Sequence, residues 1–247
     1  MTEFTVELAG IPLRIRPVHP GLRAFLRDYL SEAEPRFTIC MTEEDIDREL
    51  EQDRRSRAEE GLPPLEVSRQ YLERLALYRK LAERILWEDV LLFHGSAVAV
   101  DGQAYLFTAR SGTGKSTHTR LWRQLFGDRA VMINDDKPLL RVTEEGVWVC
   151  GTPWDGKHRL STNASAPLKA ICVLTRAAEN HIEPLSAGDA FPMLFQQCYR
   201  PPQAESMPKI LELLERLSGQ VGLYRLGCNM EPEAAKISYQ GMQEEEK

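Results

Sequence analysis

Cysteine is sparse and scattered in this 247-residue chain: Cys40, Cys150, Cys172, Cys198 and Cys228 stand far apart, with no C-x-x-C pair. That pattern excludes a disulfide scaffold and a cysteine-built zinc site, and it reads as a set of reduced thiols. Long apolar runs are missing as well, and the N-terminus shows no charged-then-apolar segment. A cytoplasmic protein with no membrane partner is therefore expected. Basic excess is also lacking. Lys plus Arg number 31 against 37 Asp plus Glu, a net charge of −6, which argues against nucleic acid and anionic membranes as partners. No internal repeat occurs, and the acidic tip at 244–246 is the one biased tract. What is left, 43% hydrophobic and 28% charged, describes a soluble globular chain with room for one sizeable domain and a small appendage.

Against that plain background one segment stands out, Tyr105-Leu-Phe-Thr-Ala-Arg-Ser-Gly-Thr-Gly-Lys-Ser-Thr117. An apolar run ends in a Ser-Gly-Thr-Gly turn, and Lys115 and Ser116 open a helix. Glycines there let backbone N–H groups converge on a polyphosphate, and the helix N-terminus adds a favourable dipole. Lys115 supplies a point charge and Ser116 a hydroxyl for Mg²⁺. Ser111, Gly112, Thr113, Gly114, Lys115, Ser116 and Thr117 are thus the candidate nucleotide-binding residues. The match to G-x-x-x-x-G-K-[ST] fails at its first position, which is Ala109.

Context supports the loop. Leu121, Trp122, Leu125 and Phe126 form one stripe of the following helix, and Gly127 stands where a helix stop belongs. A short apolar strand over 129–133 then runs into Asn134-Asp135-Asp136. Asn-Asp-Asp suits a plain turn, but an acidic residue ending the strand after a phosphate loop is also the other half of a nucleotide–Mg²⁺ site. Upstream, Asp101-Gly102 between two apolar runs signals a two-residue hairpin. Its register pairs Val100 with Gln103, Val98 with Tyr105 and His94 with Ala109, which sets His94 beside the start of the phosphate loop.

These residues resemble the HPr kinase/phosphorylase and phosphoenolpyruvate carboxykinase superfamily. The resemblance is carried by His94-Gly95-Ser96, the Asp-Gly hairpin, residues 111–117 and Asn134-Asp135-Asp136. It implies an α/β fold with a mixed, largely antiparallel sheet around a P-loop. It implies ATP or another nucleoside triphosphate with Mg²⁺, Lys115 on the β/γ-phosphates, Ser116 on the metal, and His94 near the transferred group. One of Asp135 and Asp136 would ligate the metal and the other would act as base, with the assignment open. The expected activity is a kinase acting on a hydroxyl of a protein, peptide or small molecule. Two alternatives are carboxykinase-like transfer coupled to decarboxylation and a non-catalytic nucleotide switch. A homo-oligomer is compatible with this reading. The chain departs from the family after the aspartates, where it reads Val147-Trp-Val-Cys-Gly-Thr-Pro-Trp-Asp-Gly-Lys-His-Arg159. Lys157 is the preferred candidate there for acceptor recognition or charge stabilisation, ahead of Arg159 and His158; a surface loop over a packed Trp154 is the plain alternative.

The rest divides into an N-terminal unit, 1–92, expected to pack on the main sheet because no Gly/Ser linker precedes His94, and a nucleotide-binding domain, 93–247. In the first, a hairpin turns at Ala9-Gly10, a capping box opens at Thr42, and a long helix is expected from Leu65 to about Glu88. In the second, a buried strand over 168–174 is followed by a strand over 181–185 expected beside it. Ser186 and Ser206 are expected to cap two helices, the first carrying Pro192; a late strand (221–226) and a helix (232–239) complete the chain.

Overall fold

The computed structural model describes residues 2–63, 66–156 and 158–243. It divides into two compact units, Met1–Arg84 and Ile85–Lys247. In the smaller unit β1 (Phe4–Leu8) and β2 (Ile11–Arg16) form the expected hairpin, turning through Ala9 at φ 54° and Gly10 at φ 70°. Helix α1 (Gly21–Phe25) is followed by β3 (Phe37–Cys40), which pairs parallel with β2. These strands make their own three-stranded sheet instead of extending the larger one. Helix α2 (Glu43–Glu59) begins with the capping box, Thr42 accepting from the Asp45 amide while the Asp45 carboxylate accepts from the Thr42 amide. Helix α3 (Arg69–Ile85) buries Leu72, Ala76, Leu77 and Leu81; the expected start at Leu65 lies outside the described residues.

The larger unit holds a nine-stranded mixed sheet. Its first strand, β4 (Val90–Leu92), belongs to this sheet and not to the N-terminal unit. Strands β5 (Ser96–Val100) and β6 (Gln103–Thr108) form the hairpin, with Asp101 at φ 52° and Gly102 at φ 81° supplying the two positive-φ positions of the turn. The ladder runs from Val100↔Gln103 to Ser96↔Phe107 and ends before His94. Helix α4 (Lys115–Phe126) leads to β7 (Ala130–Asn134), which returns antiparallel to β5. A second hairpin, β8 (Leu139–Val142) and β9 (Val147–Cys150), joins β4 to the long strand β10 (Ser165–Arg176). Strand β10 pairs parallel with β6, so the phosphate loop leaves a strand with one antiparallel and one parallel neighbour.

The C-terminal half corrects two expectations. Strand β11 (His181–Pro184) does not lie beside β10, because β12 (Gly222–Cys228) pairs with both. Of the helices between them, α5 (Ala187–Gln197) is capped by Ser186, whose hydroxyl accepts from the Asp189 amide at 3.1 Å. In α6 (Ser206–Ser218), however, Ser206 is the first helical residue, buried, and makes no cap. Helix α7 (Glu233–Gly241) closes the described fold.

The sheet is covered on both faces, which is why its central strands are apolar without alternation. Ala97, Leu106 and Ile171 pack with Leu194 of α5 and Ile210, Leu213 and Leu214 of α6. Val98, Tyr105, Phe107 and Cys172 pack instead with Leu121 and Trp122 of α4 and Ala234 and Ala235 of α7. Strand period two thus sends neighbouring residues of one strand to opposite cores. Trp122 is the pivot of the second, with ring centroids 4.8 Å from Tyr105 and 5.1 Å from Phe107. Anchoring α4 in this way holds the loop that precedes it. Among the described residues no helix is long and apolar enough to cross a membrane.

Candidate active site

The loop between β6 and α4 has the conformation a phosphate nest needs. Gly112 sits at φ 76° and Gly114 at φ 123°, regions closed to most side chains, while a Cβ on Gly112 would touch nothing within 4 Å. Conformation, not space, is what these glycines supply. At the helix start the amides of Lys115, Ser116 and Thr117 lack backbone acceptors, and the first backbone bond into α4 is from His118 N–H to Gly114 O at 2.9 Å. Ser111, Gly112 and Ser116 are exposed. The departure at Ala109 has a simple cause. That residue is fully buried in the core around Trp122 and has no positive φ, so glycine is not required there. Its carbonyl accepts from Lys115 Nζ at 3.3 Å.

Lys115 connects the loop with the acidic residues. Burial lowers its pKa, and the charges of Asp136 and then Asp135 act in the opposite direction. A second connection is a hydrogen-bond chain: the Thr119 hydroxyl lies 3.1 Å from Ser96 Oγ, and Ser96 donates to Asp135 Oδ1 at 2.7 Å. Thr119 belongs to α4 and Ser96 to β5, so three elements converge on one carboxylate.

The two aspartates have different surroundings. Asp135 is buried, and a Cβ placed on Gly156 would come within 2.8 Å of its Oδ2. Asp136 is more open and is faced by His94 Nε2 at 3.4 Å from Oδ1 and by Lys137 Nζ at 3.1 Å from Oδ2. Burial raises the Asp136 carboxyl, but the His94 hydrogen bond and the Lys137 charge outweigh it and leave the pKa below the ordinary carboxylate value. His94 is held in place through its backbone, donating to Gln197 O at 2.8 Å and accepting from the Thr108 hydroxyl at 3.1 Å.

Asn134 organises this turn. Fully buried, its Oδ1 accepts from the amides of Asp136 at 2.8 Å and Lys137 at 2.6 Å. Its Nδ2 donates to Thr152 Oγ1 at 3.0 Å and to the carbonyls of Thr152 and Trp154 at 3.2 and 3.3 Å. Thr152 in turn donates to Lys137 O at 2.8 Å. The acidic turn and the segment after β9 are therefore one hydrogen-bonded piece. Trp154 is buried beneath it, and Asp155 carries a carboxyl raised by burial and, less strongly, by Asp135. Of the three basic candidates in this segment, His158 and Arg159 are exposed and Lys157 lies outside the described residues.

Of the candidate residues, His94 lies against Asp136, and Lys115 feels the charges of Asp136 and Asp135. Asn134, Ser96, Thr119 and Thr152 were assigned no role of their own because each acts through a partner distant in the chain, and Lys137, which pairs with its neighbour Asp136, was passed over as well. Among the described residues no group of three or more His, Cys, Asp or Glu side chains forms a self-sufficient metal cage. One or two carboxylates and a hydroxyl beside a polyphosphate suit Mg²⁺, which completes its shell with phosphate oxygens and water.

A model of the family described as SynChlorMet cassette protein ScmC matches residues 71–210, more than half of the chain. Among solved structures, the chain is similar to the Hpr(Ser) kinase/phosphatase from Coxiella burnetii at 8% identity and a TM-score of 0.35, over 62% of this chain and 96% of that one. No curated protein sequence matches it.

Proposed function

The chain belongs to the family of the SynChlorMet cassette protein ScmC, and we propose that it is a phosphotransferase that moves the γ-phosphoryl group of a nucleoside triphosphate, ATP in the first instance, to a hydroxyl. We assign its larger unit to the carboxykinase-like P-loop fold that HPr kinase shares. The observation that carries this reading is the Thr119–Ser96–Asp135 chain, which ties the helix behind the phosphate loop to the acidic turn. A simple turn after a strand would not need that connection.

Each residue then has a task. The amides of Lys115, Ser116 and Thr117 and the Lys115 ammonium hold the β- and γ-phosphates. Ser116 and Asp136 hold Mg²⁺, since a carboxyl kept below its ordinary pKa is a ready ligand and a weak base. The metal, when bound, neutralises charge on the transferring group. Asp135 takes the proton of the acceptor hydroxyl as its oxygen bonds to the γ-phosphorus and the bond to the nucleoside diphosphate breaks. His94 stands beside Asp136 on the side where the transferred group passes, and Lys157 with its neighbours Arg159 and His158 recognises the acceptor. Positioning and charge neutralisation do most of the work. The acceptor is a protein, peptide or small molecule carrying that hydroxyl.

The test is a screen of hydroxyl acceptors with γ-labelled ATP and Mg²⁺, preceded by calorimetry of ATP·Mg²⁺ binding. Saturable heat and label recovered in an acceptor are expected. A folded protein giving no binding heat with any nucleoside triphosphate in the presence of Mg²⁺ overturns the reading.

A further inference from the structure

The phosphate loop is gripped from outside by a residue that no motif marks. Arg176, the last residue of β10, donates from Nη2 to the Gly112 carbonyl at 2.6 Å. Parallel pairing of β10 with β6 puts the two carboxyl ends side by side, with Val173 opposite Thr108. Ligands of open α/β sheets sit outside such ends. Arg176 is exposed, and its guanidinium has five N–H donors, of which the Gly112 contact takes one. Gly112 is exposed and lies close in sequence to Lys115, Ser116 and Thr117, whose amides have no backbone acceptor among the described residues. The remaining donors of Arg176 therefore stand where oxygens of a bound polyphosphate would come.

The charge pattern agrees. Arg110 and Lys115 lie within the loop and Arg176 at its rim, three cations in a chain whose net charge is −6. The Asp135–Asp136 turn follows β7, on the far side of β5 from β6, so the Mg²⁺-facing end of the nucleotide is on that flank. Arg176 stands on the opposite flank, beyond β6.

Resting on the nucleotide reading above, we infer that Arg176 is a polyphosphate-binding residue, held ready beside the loop by the Gly112 carbonyl. A guanidinium fork recognises adjacent phosphate oxygens in a way a single ammonium does not. Its loss should be felt by nucleoside triphosphates far more than by monophosphates.

The experiment is calorimetry with ATP·Mg²⁺ and, separately, AMP, on the full chain and on Arg176→Ala and Arg176→Lys. Circular dichroism and thermal melts of each variant show whether it is folded. Arg176→Ala is expected to weaken ATP binding by about tenfold or more, to leave AMP binding unchanged and to melt with the parent protein. Arg176→Lys should recover part of the loss. Unchanged ATP affinity in Arg176→Ala, or an equal loss for ATP and AMP, overturns the inference while the nucleotide reading stands. Absence of ATP binding in the parent protein overturns both.

Discussion

His94 Nε2 lies 3.4 Å from Asp136 Oδ1, so a histidine just ahead of β5 faces a carboxylate just past the end of β7, its neighbour in the sheet. Burial is the largest single influence on Asp136 and raises its pKa, but His94 and Lys137 together outweigh it and hold the carboxyl below its ordinary value. Replacing His94 with Ala should let the Asp136 carboxyl rise. The sign follows directly, since a carboxylate with a raised pKa protonates at higher pH. The acidic limb of a Mg²⁺-dependent activity should therefore move to higher pH in H94A. An unchanged pH–rate profile would show that His94 does not tune Asp136.

Lys115→Ala should lower phosphoryl transfer by at least about 10²-fold, the loss typical of removing one preorganised charge from a transferring group. Its ammonium makes one protein hydrogen bond, to Ala109 O, so thermal unfolding should shift little. Wild-type turnover in a folded K115A protein would remove Lys115 from the mechanism.

Asp136→Asn and Asp135→Asn should separate two defects. D136N is expected to raise the Mg²⁺ concentration needed for half-maximal activity. D135N should lower kcat with Mg²⁺ dependence retained, and it also leaves Ser96 facing an amide in place of a carboxylate. Mg²⁺ titrations of initial rate, run at saturating nucleotide, distinguish them. Identical titration curves for both variants would abolish the division of roles.

Asn134→Ala removes the three Nδ2 bonds to Thr152 and Trp154 and the two bonds that Oδ1 accepts within the acidic turn, leaving the Thr152 hydroxyl on Lys137 O. Buried groups left unpaired cost about 1–3 kcal/mol each, so urea denaturation should show a loss of several kcal/mol or a protein that does not fold. Asn134→Asp keeps the acceptor to the Asp136 and Lys137 amides and loses the donors. It should fold with lower stability and require more Mg²⁺. A variant as stable as the parent, with the same Mg²⁺ requirement, would show the clamp to be dispensable.

His118 makes a prediction independent of catalysis. It is buried under α7, where Trp122 Nε1–H points at its Nε2 at 3.2 Å and Ser238 Oγ lies 3.1 Å away. Burial lowers its pKa to about 4 from 6.5. A depressed folded pKa means that the unfolded chain binds the proton more readily. The stability it contributes is complete above pH 6.5 and disappears as pH falls toward 4, a span worth about 3 kcal/mol at 1.36 kcal/mol per unit. His118→Gln cannot titrate, so its melting temperature should fall less between pH 7 and pH 5 than that of the parent. Parallel declines in the two proteins would contradict this.

Much of the larger unit was legible because its signals are local. Asp101-Gly102 named the turn, and the turn set the β5–β6 register, which holds pair for pair until the ladder stops two pairs short of His94 and Ala109. The same holds for Gly112 and Gly114, whose positive φ values follow from the nest that the motif implies. Less legible was anything decided by sheet order. Strand β11 carries no mark in its own four residues that it pairs with β12 instead of β10. Ser206 looks like a cap in one dimension, yet the helix begins one residue earlier and buries it.

The site shows the same division. The sequence alone determined the positive-φ glycine turn between β6 and α4 and the two adjacent carboxylates that follow β7, because those properties belong to short stretches with fixed dihedral and charge demands. Tertiary structure decided that Ser96 addresses Asp135, that His94 and Lys137 address Asp136, that Asn134 clamps Thr152, and that Arg176 grips Gly112. All but the pair of neighbours Lys137 and Asp136 join residues far apart in the chain, and only the order and direction of strands in the sheet bring such residues together.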